Sequence, residues 1–297
     1  MKFALINNQR QEATPKTKGI CPVCKMPVIS KCGKINAPHW AHETKQDCKN
    51  DRWEKEGEWH QKWKNQFPKE WQEQIVEVNG KKNIADIKTP KGLVIEFQHS
   101  HIEPEEQRAR ENNYKNMIWV VDGTRLKYDF SRFKKNVGDY SFDFLKIRKN
   151  IAIYSITFYD EVLPKNWLNS SVPVIFDFSG LEEESNATIF QKYLYCLLPI
   201  KTTSIPKVDL QLDDKAFLFY FPRKDFIPFI LNNEWTSFYS KLLLDIGNKK
   251  IEIKKQWEET EAMLEKERQK DLDRYYNKIY TDKYGFKKKL RDLLDST

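Results

Sequence analysis

Long apolar runs are missing from this 297-residue chain. The longest, Met117–Val121 and Tyr193–Ile200, fall well short of the roughly 18 residues a membrane-spanning helix needs, so no membrane insertion is expected. The opening MKFALINNQR carries one lysine and a brief apolar patch, where a secretory signal needs an apolar stretch of about 7 to 15 residues. A cytoplasmic protein is expected. Cysteine is scarce: five residues, an odd count unsuited to a disulfide framework, and two of them form Cys21-Pro22-Val23-Cys24, which favours metal over disulfides. An acidic excess is also missing. Lysine and arginine number 51 against 43 acids, a net charge of +8. With 39% hydrophobic and 32% charged residues the chain is too apolar for disorder and too charged for a membrane protein. At a soft prior of about 150 residues per domain, two domains or one with appendages are expected.

The positive excess is concentrated in residues 1–52, where Lys2, Arg10, Lys16, Lys18, Lys25, Lys31, Lys34, Lys45, Lys49 and Arg52 face only Glu12, Glu43, Asp47 and Asp51. Such a surface suits a polyanion, DNA or RNA. In the same segment Cys21 and Cys24 have the spacing that puts two thiolates on one turn, and His39-Trp40-Ala41-His42 follows. Cys21, Cys24, His39 and His42 are therefore candidate ligands of a structural zinc, with Cys48 or Cys32 able to replace one histidine. The histidine spacing is not that of a ββα finger, so no helix in a major groove is expected.

Beyond residue 52 the pattern reads helix, three strands, helix, strand. Trp53, Glu56, His60, Trp63 or Lys64, and Phe67 recur at helical spacing before Pro68. Gln74–Val78, Asn83–Lys88 and Leu93–His99 read as strands, joined at Asn79-Gly80 and across Pro90-Lys91-Gly92. Ser100 with Glu103, then Pro104, signals the start of a helix running to about Asn116, and Met117–Asp122 is a buried strand closed by Gly123. If the second hairpin closes over Pro90-Lys91-Gly92, Asp86 lies opposite Glu96 and Ile84 opposite Gln98. Side chains alternate with period two, so Asp86, Glu96 and Gln98 share a face. Two facing carboxylates are destabilising by themselves and are reconciled by a divalent cation, Mg2+ or Mn2+, whose chemistry suits phosphodiester hydrolysis.

Glu56-x-x-x-His60-x-x-x-Lys64, Ala85-Asp86, Ile95-Glu96-Phe97-Gln98-His99-Ser100, Arg110-x-x-x-Tyr114 and Ile118-Trp119-Val120-Val121 together resemble the nuclease core of the competence protein CoiA-like family. The CPxC and HWAH pair is similar to that family's zinc-like prefix. The resemblance covers about residues 20–125 and implies the αβββαβ core of the PD-(D/E)xK nuclease superfamily. It implies Asp86 and Glu96 as metal ligands, Glu56 as a third carboxylate with Glu58 as competitor, and Gln98 in the place where the superfamily usually has lysine. A neutral amide cannot supply the charge of that lysine, so Lys64 or His60 stands as its substitute.

The expected divisions are a basic zinc-ribbon-like module at 1–52, a nuclease core at 53–149, a small α+β accessory domain at 150–233 and a helical region at 234–297. Residues 124–149 mix basic and aromatic side chains that suit either a phosphate clamp or, by preference, a capping hairpin. In the accessory segment Ile151–Tyr159, Pro173–Phe178 and Ala216–Tyr220 read as strands. That segment has no histidine, and Cys196 reads as a buried structural thiol. From Lys249 to Tyr284, Ile253, Trp257, Leu264, Leu272, Tyr276 and Ile279 form a thin stripe in mixed charge. No seven-residue repeat is sustained, and the helix is read as an exposed arm, a coiled-coil strand or a surface for a protein partner or self-association. The function expected is Mg2+-dependent hydrolysis of DNA in anti-phage defence, competence or DNA processing; the competing expectation is a non-catalytic DNA-binding recombination factor that keeps the fold.

Overall fold

A computed structural model describes residues 1–33, 38–43, 57–78, 80–148, 151–180, 188–200 and 215–294. The chain divides into a body, residues 1–243, and a C-terminal unit, residues 244–297.

The basic segment is an antiparallel sheet of β1 (Phe3–Ile6), β2 (Gln9–Glu12), β3 (Lys18–Ile20), β4 (Pro27–Lys31) and β5 (His39–His42), in the order β2-β1-β3-β4-β5. Asn7 and Asn8, at φ 51° and 62°, make the two-residue turn between β1 and β2, a conformation asparagine tolerates. Its core is small: Met1, Ala4, Ala13, Val28 and Trp40 around Cys21.

The helix, three strands, helix, strand order follows as α1 (Glu58–Lys64), β6 (Gln72–Val78), β7 (Lys81–Lys88), β8 (Val94–Gln98), α2 (Pro104–Tyr114) and β9 (Met117–Asp122). Strands β6, β7 and β8 are antiparallel neighbours, and α2 carries the chain over to β9, parallel to β8. Among the described residues helix α1 opens after Gly57 and closes before the turn that leads to Pro68, and residues 53–56 of the expected 53–67 helix lie outside the described residues. Of the Asn79-Gly80 turn, Gly80 has φ 74° and Asn79 lies outside the described residues. Ser100 does not cap α2. With Pro104 at the first helical position the N-cap falls on Glu103, and Ser100 instead accepts hydrogen bonds from the Gln98 amide.

The strands of the second half continue the same sheet. Residues 124–149 contain helix α3 (Asp129–Tyr140) and strand β10 (Ser141–Arg148). Strands β11 (Ile151–Thr157), β12 (Val174–Asp177), β13 (Tyr193–Leu197) and β14 (Lys215–Pro222) join β10 in the same sheet as β6–β9, in the order β10-β11-β14-β13-β12-β9-β8-β7-β6. The join is the parallel pair β9–β12, with Val174 beside Trp119 and Phe176 beside Val121. Strand β9 is buried along its whole length, so its outer edge needs a partner strand, and β12 supplies it. Short helices α4 (Tyr159–Val162) and α5 (Arg223–Leu231) follow β11 and β14. Cys196 is buried on β13. Helix α6 (Trp235–Leu294) spans the start of the C-terminal unit, whose residues from Leu244 to Leu294 are helical.

One buried acid ties the new strands to α1. Asp177, at the end of β12, accepts the indole N–H of Trp59 at 3.1 Å and of Trp63 at 3.0 Å, and a guanidinium N–H of Arg223 on α5 at 3.1 Å. The Asp177 side chain has no exposure, so Arg223 is its charge compensation. Replacing Arg223 with Met is expected to lower stability by about 3–5 kcal/mol in urea unfolding, because it strands a buried carboxylate. A loss under about 1 kcal/mol would contradict that role for the pair.

Candidate active site

The β7–β8 hairpin has the expected register, with Ile87 beside Ile95 and Lys88 beside Val94. Gly92 at φ 81° closes the turn, and the Leu93 and Gly92 N–H groups both bond to Thr89. One step further along, at Asp86 and Glu96, the backbone ladder gives way to side chains. The Phe97 N–H donates to Asp86 Oδ2 at 2.9 Å, and the Asp86 N–H approaches Glu96 Oε1 at 3.4 Å. Both carboxylates therefore sit in the opening between the two strands. Glu96 is buried and Asp86 nearly so.

Basic side chains converge from two helices. From α1, His60 Nε2 lies 3.0 Å and Lys64 Nζ 3.7 Å from Asp86 Oδ1. From α2, Arg110 donates to Glu96 Oε2 at 3.0 Å and to Glu106 at 2.7 Å, and Tyr114, one turn on, bonds to Glu96. Lys64, only 1% exposed, is clamped by Glu73 Oε1 at 2.9 Å. Glu73 lies on β6 between Gln72, which pairs with Ile87, and Gln74, which pairs with Ala85, so the register sets it across from Asp86. Its φ of 45° is a left-handed backbone that a glutamate rarely adopts. The same carboxylate accepts the Lys2 N–H at 2.8 and 2.9 Å and the Phe3 N–H at 3.2 Å, which docks the N-terminal sheet onto the large one. Three acids on adjacent strands, Glu73, Asp86 and Glu96, are thus compensated by His60, Lys64 and Arg110.

The two central carboxylates have opposite acidities. Burial alone would raise Asp86, but His60, Lys64 and the Phe97 N–H outweigh it and hold the group well below the usual carboxylate range. Glu96 is pushed up to about 8, by burial first and by the Asp86 charge second, against the pull of Arg110. Burial would raise Glu73, and Lys64 with the N-terminal amine reverses that to a lowered value. A carboxyl held acidic beside one held neutral is a common signature of sites that bind cations or move protons.

Of the sequence candidates, Asp86, Glu96, His60 and Lys64 come together, and Gln98 is buried two positions beyond Glu96 on β8, its Nε2 3.2 Å from the Ser100 carbonyl. Glu56 lies outside the described residues. Glu73 was not singled out by sequence, because a charged residue on an edge strand reads as solvated until its neighbours are known. Arg110 and Tyr114 carry a signal only in their four-residue spacing, which puts both on one face of α2 toward Glu96.

In the N-terminal sheet the ligand atoms of Cys21, Cys24 and His42 lie within 4.8 Å of one another, with Cys24 Sγ 3.2 Å from His42 Nε2. Burial and the neighbouring Cys24 push the Cys21 thiol up in the metal-free protein. His39 is not in this group: it begins the same strand, three positions before His42, and strand alternation sends the two to opposite faces. Cys32 is also apart, its thiol 3.6 Å from the Ala13 carbonyl, and Cys48 lies outside the described residues.

The raised Glu96 gives a pH signature. In the unfolded chain the group ionises near 4.5, but in the folded protein it stays protonated to about 8, so the folded state binds the extra proton and stability falls across that window as pH rises. Asp86, depressed instead, loses its contribution only at pH below the ordinary carboxylate range. Without added divalent metal, Glu96→Gln should therefore gain melting temperature relative to wild type between about pH 5 and about pH 8. A constant difference across the window would place the Glu96 titration elsewhere.

Residues 5–51 match the family described as Competence protein CoiA, N-terminal domain, and residues 56–175 match Competence protein CoiA, nuclease-like domain. No curated protein and no solved structure matches the chain significantly. The nuclease-like match runs past residue 149 into β12, in agreement with the continuous sheet. The cysteine and histidine group falls within the first matched span and the β7–β8 carboxylates within the second, and the chain belongs to the competence protein CoiA family.

Proposed function

We propose that the protein is a metal-dependent nuclease of the PD-(D/E)xK type that hydrolyses phosphodiester bonds in DNA. The observation that carries this reading is the pair Asp86 and Glu96, facing each other where the ladder opens, inside a nuclease-like domain. Their oxygens form a hard donor set on two adjacent strands, which fits Mg2+ or Mn2+ better than a soft metal. Glu56, just ahead of α1, is the third carboxylate of the proposed set. A bound divalent cation polarises the phosphate and lowers the pKa of its water.

The chain's own groups divide the remaining work. Lys64, fixed by Glu73, keeps Asp86 ionised and is the nearby fixed cation in place of the lysine that Gln98 does not provide. His60, its Nε2 3.0 Å from Asp86 Oδ1, orients that carboxylate from α1. Gln98 contributes an amide that can orient but not stabilise charge. Lys16, Lys18, Lys25 and Lys31 are exposed on the N-terminal sheet and would contact backbone phosphates, while Cys21, Cys24 and His42 would hold a structural zinc with one further ligand. The setting proposed is cytoplasmic DNA handling, in competence, anti-phage defence or DNA processing.

A second reading has an observation behind it: Gln98 is neutral and Arg110 already occupies Glu96 Oε2 at 3.0 Å, as in a DNA-binding competence factor that keeps the nuclease-like fold without turnover. Cleavage of plasmid and single-stranded DNA with Mg2+ or Mn2+, against EDTA, separates the two. Asp86→Asn and Glu96→Gln are each expected to reduce cleavage by about a hundredfold or more, since several kcal/mol of charge stabilisation depends on the cation they hold. Wild-type protein that binds DNA but never cuts it would favour the second reading, and undiminished cleavage by both variants would remove this pair from the chemistry. Metal analysis of protein purified without chelator should find about one zinc per chain, lost in Cys24→Ser. Absence of zinc from the wild type would make the cysteine pair structural thiols only.

A further inference from the structure

The basic and aromatic side chains that follow β9 divide between an inner and an outer face. Phe130 and Phe133 turn inward and stack on Phe178, with ring centroids 5.3 and 4.7 Å apart. The residues ahead of α3, Thr124 to Tyr128, are all exposed, and two of them are large and apolar: Leu126 is 45% and Tyr128 76% exposed. Arg125 and Lys127 alternate with them. Tyr128, Ser131 and Lys135 follow at helical spacing, so the outer face of α3 adds Lys135, with Lys134 beside it. Residues 124–140 hold five bases against Asp129 and Asp139, and Asp129 is paired with Arg132 at 3.2 Å. Arg125, Lys127, Lys134 and Lys135 form no salt bridge with another described residue.

The exposed loop is tied down at both ends. Asp122 Oδ1 accepts the Thr124 N–H at 2.8 Å and the Thr124 hydroxyl at 2.6 Å, and the Asp129 N–H donates to the Leu126 carbonyl at 3.0 Å. Gly123 lets the loop lie close on β12, since a β-carbon there would run into the Phe178 ring. The other Asp122 oxygen, Oδ2, is 2.7 Å from Nδ1 of His99. One buried carboxylate thus ties the loop to the residue that follows Gln98, three positions beyond Glu96. The loop stands at the carboxyl ends of the parallel strands β8 and β9, the end at which open α/β sheets bind their ligands.

Charge and aromatic surface together select the ligand. Cations without acidic partners call for a polyanion. A tyrosine and a leucine displayed among them find nothing to stack on along a duplex, whose base faces are turned inward, whereas the bases of a single strand are open to stacking on a side chain. We propose that Arg125, Leu126, Lys127 and Tyr128, with Lys134 and Lys135 beside them, bind single-stranded DNA: Tyr128 stacks on a base and the four cations contact phosphates. This deepens the nuclease reading, on which it rests for DNA as the ligand, by naming the strandedness of the substrate.

Fluorescence anisotropy of the full-length protein tests this, with a labelled oligothymidine of about 20 nucleotides and a duplex of the same length, both in EDTA so that nothing is cut. Tyr128→Ala is expected to raise the dissociation constant for the single strand about tenfold and to leave that for the duplex within about twofold, while Tyr128→Phe binds as the wild type does. Arg125→Gln with Lys127→Gln should lower the slope of log affinity against log salt by about 0.7 for each phosphate contact removed. Thermal melting confirms that the variants stay folded, as exposed positions allow. Wild-type protein that binds no single strand overturns the proposal, and so does single-strand binding undiminished in Tyr128→Ala. Equal losses on both DNAs would make the surface a duplex phosphate clamp, and a loss of self-association in sedimentation velocity with DNA binding unchanged would assign it to a second copy; either result overturns it too. Cleavage with Mg2+ is read separately. Protein that binds through Tyr128 and never cuts defeats the nuclease reading alone, and protein that cuts while Tyr128→Ala binds like wild type defeats this surface alone.

Discussion

The Phe97 N–H bonds to the Asp86 carboxylate instead of to a carbonyl of the neighbouring strand. That exchange opens the sheet at one place, and most of the body is arranged to make it tolerable. A carboxylate among strands costs several kcal/mol of lost hydration unless charges and donors replace the water. Here the replacements arrive from separate elements: His60 and Lys64 on α1, Glu73 on β6 to hold Lys64, and Arg110 with Tyr114 on α2 to hold Glu96. No single segment of sequence builds the site. It exists only when both helices have docked against the three strands, which makes it a property of the assembled fold.

Glu73 extends that dependence to the N-terminal sheet. Its oxygens receive the first backbone N–H groups of the chain as well as Lys64, so the placement of β1 and the placement of Lys64 beside Asp86 share one side chain. The left-handed backbone at Glu73 is the geometric expense of turning a β6 side chain toward both partners. Arg10, whose guanidinium reaches the Gln72 carbonyl at 2.7 Å, reinforces the same contact. A small sheet with few large apolar residues of its own is thus held by ionic and backbone bonds to β6, and any metal that rigidifies Cys21, Cys24 and His42 acts on a unit already coupled to the carboxylate cluster.

What the sequence reveals and conceals follows from the range of the interactions. The β7–β8 register is local: Pro90-Lys91-Gly92 fixes the turn, period two does the rest, and Asp86 against Glu96 follows. The strand Met117–Asp122 is legible because burial on both faces leaves an unbroken apolar run. The union of β9 with β12 is not, since a parallel pair across more than fifty residues of intervening chain leaves no local trace, and the strands beyond it then read as a domain of their own. His39 and His42 look equivalent in a string and become inequivalent once they share a strand. Glu73 reads as an ordinary surface acid because nothing in its neighbours announces a positive φ.

The buried acid of β12 shows why the continuous sheet matters to the candidate site. Trp59 and Trp63, which flank His60 and precede Lys64, hang both indole N–H groups on Asp177, and Arg223 stacks 4.6 Å over the Trp63 ring while it pairs with the same carboxylate. Phe97, the residue whose N–H binds Asp86, packs its ring against Trp59 and Trp63 from the other side. Helix α1 is only seven residues long and cannot hold its own orientation by helix propensity. Its anchors are Asp177, Arg223 and Phe226, contributed by β12 and α5, so the second half of the chain helps to fix the angle at which His60 and Lys64 meet Asp86. A nuclease-like core cut off at residue 149 would keep both carboxylates and lose the support of the helix that compensates them.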